Sequence, residues 1–343
     1  MVGFRKESQS AQPESLTESS LRSFVNDQYD CGVFNRCNLI ASGDNDTYLL
    51  TSDDNKVIAR AYQSKPWLNQ TSEIHFELEL LQYLKQQGLP VSYPLTDKDN
   101  KTLNMLSSPI GEFPLAIFSF APGIVFSPMN PTQSYVFGRT IADVHTSSNA
   151  FNPQTQRFSL DMDFLLLNPI KSLKKHWENN RAKDQQFLDQ LAENITQTIN
   201  NNLSHDLTSE DHWGIIGGDF HQSNAHFDQE DKITCFDFDL CGYGWRMYDL
   251  ATFLWDAWHT QGSPEMQKSF FQGYQSKKEL SAQETEVILS LVLARQIWYM
   301  GTVDMYINKV HSDFYNQEYW DKLINQLKLW ETIDQDYINS LVI

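Results

Sequence analysis

The amino-acid sequence predicts an α+β fold, in which a small antiparallel sheet with one main helix precedes a larger, mainly helical part. Three observations carry this prediction. Short apolar runs alternate with turn-forming residues in the first third of the chain, one helical pattern lies among them, and long helical patterns fill most of the remainder. The length of 343 residues exceeds one average domain, which favours two lobes.

The sheet is predicted from the segment between Asn38 and Tyr62, in which apolar runs are divided by GDND and SDDN. Such clusters join antiparallel strands in hairpins, so the segment predicts two or three strands. Before it, SLTESSLRSFVNDQY predicts a short helix. Residues 1–17 are polar and rich in serine, which indicates a flexible tail.

One main helix is predicted within this lobe. In SEIHFELELLQYLKQQG the apolar residues recur near helical spacing, and Gly88 supplies the stop. Further short strands are predicted up to a PG turn, after which the only strand-like interruption is the region around GGDFHQSN. We therefore expect an N-terminal lobe at 18–121 and a C-terminal lobe at 122–343.

The composition excludes several classes of protein. A formal charge of −18 argues against nucleic-acid binding, which rests on clustered Lys and Arg. No apolar run approaches the roughly 20 residues of a membrane span, and the polar N-terminus does not resemble a signal peptide. The four cysteines lack a zinc-type spacing and are expected to be reduced thiols. We therefore expect a cytoplasmic protein with no nucleic-acid or membrane partner.

The stretch GGDFHQSN places a carboxylate and an amide five residues apart in a turn that begins with glycine. A carboxylate at Asp219 suits the acceptance of a proton from a hydroxyl that attacks a phosphoryl group. Asn224 offers a neutral oxygen for Mg²⁺. Thirteen residues after Asn224, Asp237 follows a strand-like run and adds a charged metal ligand. A kinase centre uses this ordered set of Asp, Asn and Asp.

Together with ITCFDFDLCGYGWRMYDLA, this stretch resembles the signature of the aminoglycoside phosphotransferase and choline kinase family, whose usual form is HGDxxxxN followed by xDFxxxxxG and a DLA helix. Within the family, the later RQIWYMG resembles the branch of homoserine-kinase-like proteins and stress-response kinase A. The resemblance implies a protein-kinase-like bilobal fold, with a nucleotide-binding lobe at 18–121 and a catalytic and acceptor-binding lobe at 122–343. It also implies transfer of the γ-phosphoryl group of ATP to a hydroxyl, with ATP and Mg²⁺ as cofactors.

The resemblance implies roles for individual residues. Asp219 takes the place of the catalytic base, and Asn224 and Asp237 take those of the metal ligands. In the first lobe, VIARAY resembles the strand with the phosphate-pairing cation, here Arg60. Glu77 resembles its partner on the helix.

The resemblance also implies how the nucleotide and the catalytic turn are held. LAIFSFAPG, which contains Phe118 and Phe120, resembles the linker whose backbone hydrogen-bonds the adenine edge. Backbone amides around Asp44 and Asn45 are expected to approach the phosphates. Asp249, in YDLA, is expected to cap the following helix and to hold the catalytic turn.

Three positions depart from the family's pattern. Arg60 stands where lysine is usual; it keeps the charge and grips phosphate with two N–H groups, and Lys56 is the alternative cation, although it lies near a hairpin turn. Gly218 stands where a backbone-organising histidine is usual, and His221 either replaces part of its contacts or faces solvent. The loop SGDNDTYLL holds only Gly43, so the glycine-rich motif is missing.

The acceptor is expected near Asp219, against the two helices predicted from DLATFLWDAWH and VLARQIWYMGTVDMY. The candidate contacts are Asp239, Trp255, Asp256, His259 and Trp298. Aromatic rings and carboxylates suit a cationic amino alcohol or aminoglycoside, although Trp and Tyr at helical spacing are also typical of a core.

Three classes of acceptor follow from the resemblance. The first is a small hydroxyl metabolite such as homoserine or an amino alcohol, the second an aminoglycoside-like antibiotic, and the third a Ser or Thr side chain of a protein. A nucleotide-binding pseudokinase is the alternative without catalysis, and the presence of Asp219, Asn224 and Asp237 argues against it.

Overall fold

The computed structural model describes residues 17–43, 45–63, 71–108, 111–177, 180–203, 212–310 and 316–342. Residues 1–16 of the predicted tail and Asp44 of the predicted phosphate loop lie outside the described residues.

The chain divides into two compact units. The first comprises the described residues up to Ile124 together with Phe151–Arg157 and His226–Asp239, and the second comprises Val125–Ala150, Phe158–Ala225 and the described residues from Leu240 onward. The first unit includes two segments from later in the chain, so it is not one continuous stretch. The lobe boundary expected between residues 121 and 122 stays a prediction.

The strands in chain order are β1 (Arg36–Ala41), β2 (Asn45–Thr51), β3 (Lys56–Tyr62), β4 (Asn104–Ser108), β5 (Gly111–Ser119), β6 (Ser159–Leu160), β7 (Trp213–Ile216), β8 (Ala225–Phe227), β9 (Ile233–Cys235) and β10 (Gly242–Trp245). The helices are α1 (Glu18–Gln28), α2 (Thr71–Gln86), α3 (Pro131–Ser148), α4 (Asn168–Trp177), α5 (Ala182–Asn202), α6 (Arg246–His259), α7 (Pro264–Gln275), α8 (Ala282–Val310), α9 (Gln317–Glu331) and α10 (Gln335–Val342).

A five-stranded antiparallel sheet in the order β1-β2-β3-β5-β4 forms the centre of the first unit. The predicted hairpins are confirmed, since β1 pairs with β2 and β2 with β3. Leu21 and Val25 of α1 pack into the apolar cluster that covers one face of the sheet. The main helix is also confirmed as α2, and Gly88 follows it with φ +81, a conformation that favours glycine.

Two later segments complete the first unit. β9 is fixed by reciprocal backbone bonds, because Cys235 N–H donates to the Pro90 carbonyl and Ser92 N–H donates to that of Cys235, each at 2.8 Å. Ile124 forms an antiparallel bridge with Phe227. The chain that follows β9 is therefore held against the first unit.

The second unit is mainly helical and contains a small sheet in the order β6-β10-β7. The expected strand-like interruption around GGDFHQSN is confirmed by β7 and β10, which pair antiparallel. The expectation that this was the only interruption is wrong, because β6 pairs parallel with β10. Two residues carry no readable periodicity, so β6 left no signal in the sequence.

Within the part of the chain that the structure describes, no helix combines the length and the apolar content that a membrane crossing requires.

Candidate active site

A guanidinium between two carboxylates forms the charged centre of the first unit. Arg60 of β3 donates from Nη1 to Glu77 Oε1 at 3.0 Å, and its Nη2 lies 3.1 Å from Asp237 Oδ1. Tyr62 donates its hydroxyl to the second Glu77 oxygen at 3.1 Å. Strand alternation places Arg60 and Tyr62 on one face of β3, so both side chains meet α2.

Burial shapes the charges of this centre. Glu77 is fully buried, and burial raises its pKa while Arg60 opposes the shift. For Arg60, burial lowers the pKa, but Asp237 and Glu77 outweigh burial and raise it above the ordinary value. The guanidinium therefore stays charged, and removal of one carboxylate would leave it partly uncompensated.

Arg60, and not Lys56, makes these contacts. The Nζ of Lys56 lies 5.2 Å from the ring centroid of Phe120, at the start of the strand. The Arg60 guanidinium lies 5.1 Å from the ring centroid of Phe118. Of the two cations on β3, only Arg60 contacts both Glu77 and Asp237 among the described residues.

Asp237 has an unusual backbone for its residue type. It lies two residues after β9 with φ +66, in the left-handed region that residues other than glycine rarely adopt. Such conformations cost free energy and occur often at functional sites. The Asp237 side chain is 40% exposed, so it reaches solvent while Arg60 contacts it.

Asp239 is bound within the first unit. Its Oδ2 accepts a hydrogen bond from Asn45 Nδ2 at 2.9 Å, and its carbonyl accepts one from Arg157. Arg157 also donates to the Glu73 carbonyl in the first turn of α2. The carboxylate that was expected to contact the acceptor thus holds the start of β2, beside the predicted phosphate loop.

The predicted adenine linker begins inside the sheet. Phe118 pairs with Ile58 of β3 and is bridged on its other side to Pro94. Its backbone groups are therefore engaged within the sheet, whereas Phe120 follows the last residue of β5.

The catalytic turn GGDFHQSN is held by a buried carboxylate. The N–H groups of Gly217 and Gly218 donate to Oδ2 and Oδ1 of Asp249, each at 2.8 Å. The Nε2 of His145 lies 2.8 Å from the same Oδ2. The expectation that Asp249 holds this turn is confirmed. The expected capping role is wrong, because the Asp249 oxygens bond the turn and His145, and α6 has no side-chain N-cap bond.

Gly218 has no room for a side chain. Its φ is +76, and a Cβ there would lie 2.4 Å from the carbonyl oxygen of Leu240. Histidine at this position would need a different backbone. The departure from the family's pattern thus has a steric cause in this turn.

Three side chains surround Asp219. Arg295 makes a close ion pair with Oδ1, and His221 Nε2 lies 3.5 Å from Oδ2. Asn224 donates from Nδ2 to the Asp219 carbonyl at 3.0 Å and lies 3.4 Å from Oδ2. Burial alone would raise the pKa of Asp219, but Arg295 and then His221 outweigh burial and hold it well below its usual range. Asp219 is therefore a carboxylate, and its side chain is 22% exposed.

His221 faces inward, so the solvent-facing alternative is wrong. It is 6% exposed, and its Nδ1 accepts a hydrogen bond from Ser223 N–H at 3.2 Å. Burial lowers its pKa, but Asp219 outweighs burial and raises it. The ring thereby links Asp219 to the short 3₁₀ turn that carries Asn224.

The sequence did not identify Arg295 as a site residue. Besides its ion pair with Asp219, its Nη1 lies 3.3 Å from the Tyr248 hydroxyl and 3.5 Å from the Gly218 carbonyl oxygen. It belongs to RQIWYMG, which entered the prediction only through a branch resemblance. Asp219 lies 76 residues away, and no local pattern joins the two.

The predicted aromatic wall already contacts a cation of the chain itself. The Arg295 guanidinium carbon lies 5.0 Å from the ring centroid of Trp255 and 4.6 Å from that of Trp298. Each indole is 9% exposed. The cation that these rings contact in the structure is Arg295, and their expected contact with a cationic acceptor stays a prediction.

Asp256 and His259, the other predicted acceptor contacts, are also engaged. Asp256 is 2% exposed and accepts two hydrogen bonds from Gln222, from its backbone N–H at 3.0 Å and from Nε2 at 2.9 Å. His259 packs against Trp255 with ring centroids 4.3 Å apart. Both residues therefore support the structure around the turn.

The structure thus brings together two groups of predicted site residues. Asn45, Arg60, Glu77, Asp237 and Asp239 form contacts within the first unit. Asp219 and Asn224 do so within the second. No cluster of three or more His, Cys, Asp or Glu side chains with metal-binding geometry occurs among the described residues.

The sequence matches the model of the phosphotransferase enzyme family over residues 37–285. The chain belongs to this family. A homoserine kinase of Agrobacterium fabrum is 27% identical to this phosphotransferase over 281 residues, which cover 80% of each chain.

Solved structures show the same fold. An amicoumacin kinase in complex with AMP-PNP and Ca²⁺ has a TM-score of 0.73 at 19% identity and covers 94% of this phosphotransferase and 97% of its own chain. A microcompartment-associated aminopropanol kinase has a TM-score of 0.71 at 21% identity and covers 94% of this phosphotransferase and 98% of its own chain. The predicted α+β fold of the protein-kinase-like type and the kinase class are confirmed.

Proposed function

We propose that this phosphotransferase moves the γ-phosphoryl group of ATP to a hydroxyl of a small molecule, with Asp219 as the base and Asn224 and Asp237 as the ligands of Mg²⁺. The observation that carries the proposal is the ion-paired centre of Arg60, Glu77 and Asp237. In kinases, a strand cation is paired with a helix carboxylate, and an aspartate from later in the chain joins them around the nucleotide phosphates and metal.

Asp219 receives the proton of the acceptor hydroxyl in this proposal. Arg295 binds its Oδ1, so Oδ2 is the oxygen left toward the acceptor, with His221 and Asn224 nearby. Such a low-pKa carboxylate acts mainly by orienting the hydroxyl, and it takes the proton late, when bond formation has made the hydroxyl acidic.

The residues present fit Mg²⁺. Asp237 supplies a partly exposed carboxylate, and Asn224 has its amide oxygen for a metal because its Nδ2 binds Asp219. Mg²⁺ is usually bound by one or two carboxylates together with phosphates, so a larger protein cluster is not needed. When bound, the metal would neutralise charge on the transferred phosphoryl group.

The remaining nucleotide contacts come from the first unit. The Nη2 of Arg60 holds the Asp237 carboxylate in place, and the positive charge of the guanidinium attracts the phosphates. Phe120 supplies the backbone that reads the adenine edge, since Phe118 is engaged within the sheet. Asn45 stabilises the beginning of β2 through its hydrogen bond to Asp239.

A small hydroxyl metabolite is the acceptor class that we favour. The homoserine kinase relative and the aminopropanol kinase structure are both named for small alcohols that carry an amino group. An aminoglycoside-like antibiotic is the second class, and a protein Ser or Thr the third. Asp239 and Asp256 each accept a hydrogen bond from an amide of the chain, and their predicted contact with the acceptor stays a prediction.

A phosphoryl-transfer screen tests the proposal. Labelled ATP and Mg²⁺ are incubated with pools of amino alcohols and homoserine, of aminoglycosides, and of a generic protein substrate, with Asp219→Asn as the control. We expect label in the amino alcohol and homoserine pool with the wild type and at least about 100-fold less with the control. Label in the protein pool alone would overturn the small-molecule assignment.

The same samples test the pseudokinase alternative. A shift of the thermal unfolding temperature by Mg·ATP reports binding without catalysis. Stabilisation by Mg·ATP in the wild type, together with an absence of transfer to every pool and to water, would indicate a nucleotide-binding protein that does not catalyse transfer.

A further inference from the structure

Arg295 contacts the catalytic turn at the side chain of Asp219 and at the backbone carbonyl of Gly218. Its Nη2 pairs with Asp219 Oδ1, and its Nη1 lies 3.5 Å from the carbonyl oxygen of Gly218. These contacts fix one carboxylate oxygen and the backbone before it. The planar fork of arginine suits this double contact, whereas a lysine ammonium has a single nitrogen.

Two indole rings hold the guanidinium itself. Trp255 of α6 and Trp298 of α8 lie within cation–π distance of it, and the Arg295 side chain is only 4% exposed. The rings restrict the rotamers of a long side chain that would otherwise move in several directions. The ion pair is thus placed by packing before any ligand binds.

Other contacts leave the Asp219 side chain incompletely fixed. Asp249 holds the N–H groups of the two preceding glycines, and Asn224 binds the Asp219 carbonyl. The carboxylate has longer contacts with His221 at 3.5 Å and with Asn224 at 3.4 Å. Arg295 therefore makes the closest side-chain contact with the carboxylate among the described residues.

We propose that Arg295 is a positioning residue for phosphoryl transfer: clamped between Trp255 and Trp298, it holds Oδ1 of Asp219 so that Oδ2 faces the acceptor hydroxyl. This inference rests on the proposed function. In this proposal Trp255 and Trp298 hold Arg295, and Arg295 in turn holds Asp219. The proposal gives the two tryptophans no direct contact with the acceptor.

The test compares Arg295→Ala and Arg295→Lys with the wild type. Turnover is measured as Mg·ATP consumption with the acceptor pool that the screen labels and with water, and the dissociation constant of Mg·ATP is measured by direct titration. We expect turnover to fall about 100-fold in Arg295→Ala and about 10-fold in Arg295→Lys, because a misplaced catalytic group loses rate more than affinity. The dissociation constant should stay within about twofold.

Arg181→Ala is the matched control. Arg181 is also in the second unit, has a side chain that is 6% exposed, pairs with Asp321 at 2.6 Å and lies 5.3 Å from the Trp177 ring centroid. Its carboxylate partners are Asp184 and Asp321, not Asp219. A general loss of packing would lower turnover in both alanine variants, whereas a positioning role lowers it in Arg295→Ala alone.

Chemical rescue gives a second readout. Millimolar guanidinium chloride should restore part of the turnover of Arg295→Ala by entering the space between the indoles, and sodium chloride of equal ionic strength should not. If the alanine variant does not fold, as judged by thermal unfolding, Arg295→Lys carries the test.

The outcomes separate the two claims. Absence of phosphoryl transfer by the wild type to every acceptor pool and to water would overturn the proposed function and this inference with it. An active wild type with unchanged turnover in the folded Arg295 variants would overturn this inference alone. So would an equal loss in Arg181→Ala, or a loss in Arg295→Ala that appears only in Mg·ATP affinity.

Discussion

At the scale of single residues, Arg60 and Arg295 differ in the partners that they contact. Arg60 bridges two carboxylates in the first unit, and Arg295 binds one carboxylate between two indoles in the second. Neither set of partners would hold a lysine in the same way, because an ammonium is a compact point charge.

Arg60→Lys tests the bridging arrangement. A lysine keeps the charge but cannot contact Glu77 and Asp237 through two separate N–H groups, so we expect kcat/KM for Mg·ATP to fall about 10-fold. Lys56→Ala is the comparison, and steady-state kinetics should find it within about twofold of the wild type. A larger loss in Lys56→Ala than in Arg60→Lys would show that Lys56 is the phosphate-facing cation.

The sequence predicted individual residues unevenly, for a physical reason. Asp219, Asn224 and Asp237 carry a fixed spacing, and the contact between Arg60 and Glu77 was implied by the family resemblance of their segments. Arg295 could not be predicted, since its contact with Asp219 depends on the packing of α8. For the same reason, the contact of Trp255 with Arg295 could not be predicted.

At the scale of elements, the catalytic turn depends on backbone space. Gly218 adopts φ +76 with Leu240 close behind it, and Asp249 fixes the N–H groups on the other side. Glycine fits at residue 218, whereas a side chain there would clash with the Leu240 carbonyl oxygen. We expect that clash to move the Asp219 peptide away from Asp249.

Gly218→Ala should destabilise the protein by about 2 to 3 kcal/mol, because it adds left-handed strain to a contact of 2.4 Å with a backbone oxygen. Two glycines provide controls in urea unfolding. Gly88→Ala has the same type of φ without a clash and should cost about 1 kcal/mol, and Gly43→Ala meets no atom within 4 Å and should cost less than about 0.5 kcal/mol. Equal costs at Gly218 and Gly88 would contradict the steric account.

Elements with strong local signals were predictable. The hairpins of β1, β2 and β3 followed from GDND and SDDN, and α2 followed from its spacing and Gly88. The two-residue β6 was not predictable, because its pairing with β10 comes from tertiary contact. The cap expected from Asp249 failed because its carboxylate bonds the turn and His145.

At the scale of the whole molecule, the buried contact of His145 with Asp249 links stability to pH. His145 is fully buried, with Nε2 2.8 Å from Asp249 and Nδ1 3.0 Å from the Tyr274 hydroxyl. Burial lowers its pKa, although Asp249 opposes the shift. The unfolded chain binds this proton from about pH 6.5 downward, and the folded chain binds it only at lower pH.

The contribution of His145 is therefore fully present above about pH 6.5 and is lost as the pH falls. We expect the free energy of unfolding to decrease more steeply between neutral and mildly acidic pH in the wild type than in His145→Gln, because glutamine does not titrate. Urea unfolding across this range measures both slopes, and other histidines cancel in the difference. Parallel slopes for the two proteins would show that His145 does not titrate differently on folding.

The general fold could be predicted because the signature motif and the change from hairpins to helices both lie in the sequence. The inclusion of residues 226–239 in the first unit could not, because it depends on the docking of β9 against Pro90 and Ser92. That docking brings Asp237 to Arg60, so the geometry of the first unit's charged centre came from long-range backbone pairing.

The central claim is that Asp219 serves transfer of the γ-phosphoryl group of ATP to a hydroxyl. It is tested most directly by following labelled phosphoryl from ATP into an amino alcohol such as homoserine or aminopropanol, with wild type and Asp219→Asn side by side. The account predicts Mg²⁺-dependent label in the product for the wild type and at least about 100-fold slower transfer for Asp219→Asn, with Mg·ATP binding retained. Equal transfer rates for the two proteins would contradict it.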